Sequence, residues 1–151
     1  MPNINAKVKA SVTAICGGKA ATSAHIKTAD AIFSSVGKVY HIDEDLFPAF
    51  GALGGALGAF VLMYIDALAE AGVRAGFARP IAEKIATATV MGSGALAMNS
   101  SEHPIARMNA VCSPGGTTIE GVCKLRELGF DTAVQQALQA IIDKDFFLET
   151  N

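Results

Sequence analysis

The sequence predicts a mainly α protein: a helical bundle over residues 43–151, preceded by a short strand–helix–strand unit over residues 1–42. Three observations carry this. Before Asp43, two short segments with strand character flank one amphipathic helix; after it, apolar residues recur at three- and four-residue spacing, with Pro, Gly and Asn at the breaks. The composition is 51% apolar and 17% charged, with no Trp and two Tyr. A core of Ala, Gly, Leu, Ile, Val, Met and Phe implies close helix packing, and so much apolar surface implies burial between subunits. An oligomer is expected.

Lys7 to Cys16 alternates, with Val8, Ala10, Val12, Ala14 and Cys16 on one side and Lys9, Ser11 and Thr13 on the other, the pattern of a strand. Gly17-Gly18 ends it. Thr22 or Ser23 caps a helix reaching Val36, with Ile26, Ala29, Ile32 or Phe33, and Val36 on one face and Gly37 as its stop. Lys38 to Ile42 reads as a second strand. Two strands make no stable sheet alone, so this unit has the look of the tail of a larger domain.

Asp43-Glu44-Asp45 opens the helical region. Leu46 to Ala71 should break near Gly54, Gly55 or Gly58 and resume as a long helix with Phe60, Met63, Ala67 and Ala71 along one side. Pro80 suits the first turn of the next helix, whose Ile81, Ile85, Ala88, Ala95 and Met98 share a face, and Asn99-Ser100-Ser101 terminates it. A short helix starts near Pro104. Ile119, Val122, Leu125 and Leu128 mark another, stopped by Gly129, and Asp131 opens the last, with Val134, Leu138 and Ile141 facing inward.

A net charge of −2 with scattered Lys and Arg argues against nucleic acid and anionic membranes as partners. Cys16, Cys112 and Cys123 form no C-x-x-C pair and read as reduced, mostly buried thiols in the cytoplasm. His25, His41 and His103 show no metal-ligand spacing, so no metal site is expected. Phe47 to Ile65 is uncharged and contains two Gly-x-x-x-Gly patterns, as a membrane helix would. Its Ala and Gly content, Pro48 and acidic flank favour a buried helix pair instead. Gly92-x-Gly94-x-x-Ala97 imitates a dinucleotide fingerprint, but Ser100 to Pro104 breaks the chain before a second strand can follow. Asp66 and Glu70 share a helical face as a solvated edge, with Arg74 placed to pair with Glu70.

The strongest site candidate is Cys112-Ser113-Pro114-Gly115-Gly116-Thr117-Thr118-Ile119-Glu120. Two glycines let the backbone come close to a ligand, and Thr117 with Glu120 reads as a capping box opening a helix. Free N–H groups at such a terminus favour a carboxylate or phosphate, and Ser113, Thr117 and Thr118 add hydroxyls. A plain turn between two helices is the other reading of the same residues.

Ser113-Pro-Gly-Gly-Thr-Thr-Ile119, following Asp66-Ala-Leu-Ala-Glu-Ala-Gly-Val73, resembles pyrroline-5-carboxylate reductase, an NAD(P)H-dependent family that completes proline synthesis. Met1-Pro2-Asn3 matches the family's Met-Pro-Asn segment, and Gly55 to Ala59 falls on its Gly-Ser-Gly-Pro-Ala segment. The resemblance implies a helical bundle of the 6-phosphogluconate dehydrogenase C-terminal-like type that interlocks as a homodimer or larger homo-oligomer. It implies that residues 1–42 are the tail of a Rossmann domain whose glycine-rich fingerprint lies outside this sequence, as in a truncated gene or a proteolysed sample. By the same resemblance, the carboxylate of pyrroline-5-carboxylate or proline sits on Ser113 and the N–H groups of Gly115, Gly116 and Thr117. Thr118 hydrogen-bonds the ring nitrogen as the catalytic residue. Met1, Pro2 and Asn3 lie on the nicotinamide side of NADPH or NADH, which is bound mainly by the domain not present.

Several positions depart from the family pattern. Leu57 and Gly58 replace its second glycine and its proline, Ile4 and Asn5 replace Thr-Pro, and Met108 and Asn109 replace a basic–acidic pair. Two functions are therefore expected in competition: the substrate-binding, dimerising part of a reductase, inactive by itself, or a noncatalytic oligomerisation module.

Overall fold

A computed structural model describes the backbone of residues 1–150 and the side chains of residues 1–148. Contacts divide the chain into two compact units, Met1–Val61 with Gln135–Asn151, and Leu62–Val134.

The first unit begins with a 3-10 turn, Ile4–Val8, capped by the Asn3 side chain. Strand β1 (Ser11–Ile15) follows, then helix α1 (Ser23–Ser34) and strand β2 (Gly37–His41), which pairs parallel to β1 with Ser11 opposite Gly37. The expected strand from Lys7 starts later because Asn3 winds the preceding residues into a turn and Lys9 closes it in the left-handed region, φ 58°. Its supposed solvent side is also inside. Ser11 and Thr13 are 1% and 0% exposed, and their hydroxyls bond each other at 3.2 Å. Short hydroxyls can be buried beside a backbone when paired, and here they leave room for the neighbouring strand. A Cβ on Gly37 would run into the Ser11 backbone N and C at 2.5 and 2.6 Å. Thr22 caps α1, accepting from the His25 N–H while His25 Nδ1 accepts from the Thr22 N–H. Of the alternatives Ile32 and Phe33, Phe33 is the half-buried one.

Beyond a 3-10 turn (Glu44–Leu46) comes α2 (Phe47–Phe50), then a π-helical segment (Gly51–Ala56), then α3 (Leu57–Arg74). The glycines do not break the helix as expected; they let it widen. A Cβ on Gly54 would stand 2.7 Å from Phe50 Cζ, so the Phe50 ring occupies the space that glycine leaves. The continuous helical run Glu44–Arg74 has a mean hydropathy of 1.9 over its most apolar window and is 6% buried there. By length and composition alone it could cross a membrane; an apolar face awaiting a protein partner has the same signature.

In the second unit, α3 meets α4 (Arg79–Met98) through small residues. Ala69, Ala82 and Ala86 form the buried cluster, with Ile65 packed against it. Both helices are turned away from the faces expected of them. Met63, Ala67 and Ala71 on α3, and Ile81, Ile85 and Met98 on α4, lie exposed, because alanines let the two axes approach where larger side chains would hold them apart. Arg79 joins the helices by bonding Asp66 and, at 2.7 Å, Glu83. The hydrogen bond to Glu83 is the largest influence and, with the charges of Asp66 and Glu83, raises the Arg79 pKa against an opposing desolvation. Glu70 and Arg74 form no ion pair among the described residues; the acid of this face that does pair is Asp66, with Arg79.

Asn99 caps α4, and α5 (Pro104–Val111), α6 (Thr117–Glu127) and α7 (Phe130–Thr150) complete the chain. Tyr64 and Phe130 meet with ring centroids 6.2 Å apart, joining α3 to the start of α7. The sequence Gly92-x-Gly94-x-x-Ala97 lies inside α4, with a helix rather than a strand before it. None of the three thiols is fully buried: Cys16 and Cys112 are half-buried and Cys123 is exposed, on the outer side of α6.

Candidate functional site

The candidate turn joins α5 to α6. Cys112 ends α5, its N–H donating to the Asn109 carbonyl at 3.1 Å. Ser113, Pro114, Gly115 and Gly116 then reverse the chain, with the Gly116 N–H donating to the Ser113 carbonyl at 3.0 Å. Proline at the second position and Gly115 at φ 67° in the third are the residues a type II turn requires. Gly116 has a spatial role: a Cβ there would collide with Ser113 Oγ, which lies over it.

Gly116, with φ −78° and ψ 164°, is the N-cap of α6, and no side chain caps it. The expected capping box from Thr117 to Glu120 is therefore not formed. Thr117 is the first helical residue, one position too far along to accept from the helix N–H groups, and Glu120 lies within the first turn. The consequence is chemical. The Thr117 and Thr118 N–H groups at the start of α6 keep no intrahelical acceptor, and the helix dipole adds partial positive charge there. Ser113, Pro114, Gly115, Thr117 and Thr118 are all exposed in the chain and Gly116 is half-buried. Of the three N–H groups expected to meet a carboxylate, that of Gly116 is already engaged by Ser113, which leaves Gly115 and Thr117, together with the hydroxyls of Ser113, Thr117 and Thr118.

In the other unit, Met1 lies along the edge of β1 opposite β2. Its ammonium donates to the Ala14 carbonyl at 2.7 Å and its carbonyl accepts from the Ala14 N–H at 3.0 Å. Asn3 Nδ2 donates to the Gly54 carbonyl at 2.7 Å, and Asn3 Oδ1 accepts from the N–H groups of Asn5 and Val12 at 3.2 and 3.4 Å. With the Asn3 amide committed, Met1, Pro2 and Asn3 offer a ligand mainly the Pro2 ring, the Met1 side chain and the remaining N–H groups of the Met1 ammonium. Sequence reasoning missed that the Asn3 amide is spent inside the fold; the signal was available, since Asn directly before a turn bonds backbone N–H groups a few residues on.

An open depression of about 540 Å³ lies in the first unit, lined by Cys16, Glu44, Asp45, Phe47, Pro48 and Phe146. No residue nominated from the sequence as substrate- or cofactor-binding lines it, and its two carboxylates oppose an acidic ligand. No cluster of metal-ligating side chains occurs among the described residues.

The profile of the family described as pyrroline-5-carboxylate reductase dimerisation matches residues 44–146. The chain belongs to the pyrroline-5-carboxylate reductase family. It is 43% identical over 140 residues to the pyrroline-5-carboxylate reductase of Synechocystis, covering 93% of this chain and 52% of that protein. The Aquifex aeolicus reductase is 41% identical over 144 residues, covering 95% and 54%. Among solved structures, the 1-pyrroline-5-carboxylate reductase of Streptococcus pyogenes superposes with a TM-score of 0.90 at 38% identity, covering 95% of this chain and 56% of that one. The Plasmodium falciparum pyrroline carboxylate reductase, solved with NADP bound, also gives 0.90, at 28% identity, covering 95% and 59%. The chain thus spans about half the length of the curated relatives it matches. The mainly helical fold with its two parallel strands is that of this reductase family. The helical run Glu44–Arg74, whose composition alone would suit a membrane, lies within the matched dimerisation region.

Proposed function

We propose that these 151 residues form the substrate-holding and dimerising part of a pyrroline-5-carboxylate reductase, which converts 1-pyrroline-5-carboxylate to L-proline. The single observation that carries this is the uncapped N-terminus of α6, set behind a Pro114–Gly115 turn and flanked by exposed hydroxyls, in a chain of this family. Such a terminus is an anion site of the right size for one carboxylate.

In this reading the substrate carboxylate accepts from Ser113 Oγ–H and from the N–H groups of Gly115 and Thr117, with Gly116 shaping the turn. The Thr118 hydroxyl lies toward the ring nitrogen. Reduction breaks the π component of the C=N bond: the carbon gains a hydride and the nitrogen gains a proton. NADPH or NADH supplies the hydride when bound. A threonine hydroxyl is too weak an acid to be the main proton source, so Thr118 acts by hydrogen bonding and orientation, and the proton comes from solvent. Met1 and Pro2 form the wall beside the nicotinamide. Residues 1–42 belong with a nucleotide-binding domain and residues 43–151 form the helical domain. A second copy covers the exposed apolar faces of α3 and α4, and the protein works in the cytoplasm without nucleic acid or membrane.

The reading is tested by titrating the 151-residue chain with L-proline and following the amide signals of residues 113–118 by NMR. Saturable shifts are expected, and Ser113→Ala with Thr118→Ala should abolish them; unchanged binding in the double variant removes the site. With pyrroline-5-carboxylate and NADPH the same chain should show no turnover, since its residues supply no phosphate-binding fingerprint. The rival reading, a noncatalytic oligomerisation module, is favoured by Leu57 and Gly58, which depart from the family's Gly-Pro at those positions. It predicts a dimer of unchanged thermal stability in proline.

A further inference from the structure

A π-helix is wider than an α-helix and occurs in proteins mostly as single turns inserted into α-helices. The π segment Gly51–Ala56 runs directly into α3 at Leu57. Within it the Gly54 carbonyl receives a donor from far along the chain, Asn3 Nδ2 at 2.7 Å. The other end of the same amide is held by two backbone donors, the N–H groups of Asn5 and Val12. Phe50 fills the space beside Gly54, which no residue with a Cβ could share without displacing the ring.

We infer that Asn3 pins the π turn in place: its Nδ2 donates to the Gly54 carbonyl inside the π segment while its Oδ1 holds the N–H groups of Asn5 and Val12, and so the amide locks the glycine-rich segment to the Met1–Pro2 segment. Only a side chain with a donor and an acceptor on one rigid group can do this at both ends. Releasing Asn3 would let the π turn move or rewind, and would shift the glycine-rich segment and the chain beside β1 together. The device stands on the geometry of this unit and does not depend on the reaction proposed above.

Two measurements on the 151-residue chain decide it. In the unaltered protein, NMR should detect a scalar coupling across the hydrogen bond from Asn3 Nδ2 to the Gly54 carbonyl carbon; its absence overturns the latch. Asn3→Asp keeps both acceptor bonds but loses the donor, so the signals of residues 51–58 should move or broaden while the Val12 amide stays in place. Signals unchanged over residues 51–58 in that variant also overturn it. Asn3→Ala should disturb both regions. The wild-type coupling decides the question even if a variant fails to fold.

Discussion

Gly72 of α3 and Ala82 of α4 touch so closely that a Cβ built on Gly72 would lie 3.1 Å from the Ala82 Cβ. The contact sits beside the cluster of Ala69, Ala82 and Ala86, where the helices meet largely through small side chains, with Ile65 packed against them. Little apolar area is available there, so the attraction depends on distance.

Gly72→Val should therefore force α3 and α4 apart and cost about 2 kcal/mol, the usual range for overpacking. Urea unfolding should show a lower midpoint with the slope retained. Gly72→Ala should cost less, about 1 kcal/mol, since a shift of a few tenths of an ångström restores ordinary contact.

At the candidate site, Gly115 has φ 67°. Gly115→Ala should cost about 1 kcal/mol in stability, because an L residue with a Cβ is strained there. The same change should weaken L-proline binding by calorimetry, since it tilts the N–H groups that follow. Gly115→Asn should recover part of both losses, asparagine being the side chain that best tolerates this region.

The exposed α4 face gives a third expectation. Ile85 is 49% exposed on the chain, beside Ile81. Ile85→Glu should shift the protein toward monomer in sedimentation velocity while leaving its helical circular dichroism unchanged, because a charge buried in a subunit interface has no partner there. A dimer population equal to wild type would place the interface elsewhere.

Much of this molecule was legible in the order of its residues. Helices beginning at Ser23, Pro104 and Phe130 announce themselves through the Thr22 cap, the first-position Pro104 and the first-turn acid Asp131, because helix-start chemistry is local and acts within one turn. The Ser113 turn was equally readable, since proline followed by glycine restricts the backbone to very few conformations. Motif resemblance carried the family, and the comparisons agree with it.

What the sequence by itself determined, then, was where most of the helices start and where the chain turns between α5 and α6. Tertiary structure decided the rest. It chose the alanine faces of α3 and α4 over their larger apolar faces for contact, because axis separation depends on both helices at once. It buried Ser11 and Thr13, which the alternation assigned to solvent, because the fold covers that face of β1 and the two hydroxyls, bonded to each other, keep their polar atoms satisfied there. It turned an expected break at the glycines into a π turn, because the Asn3 amide, fifty-one positions away along the chain, reaches the Gly54 carbonyl. Local pattern cannot report a bond whose partner is set by the fold.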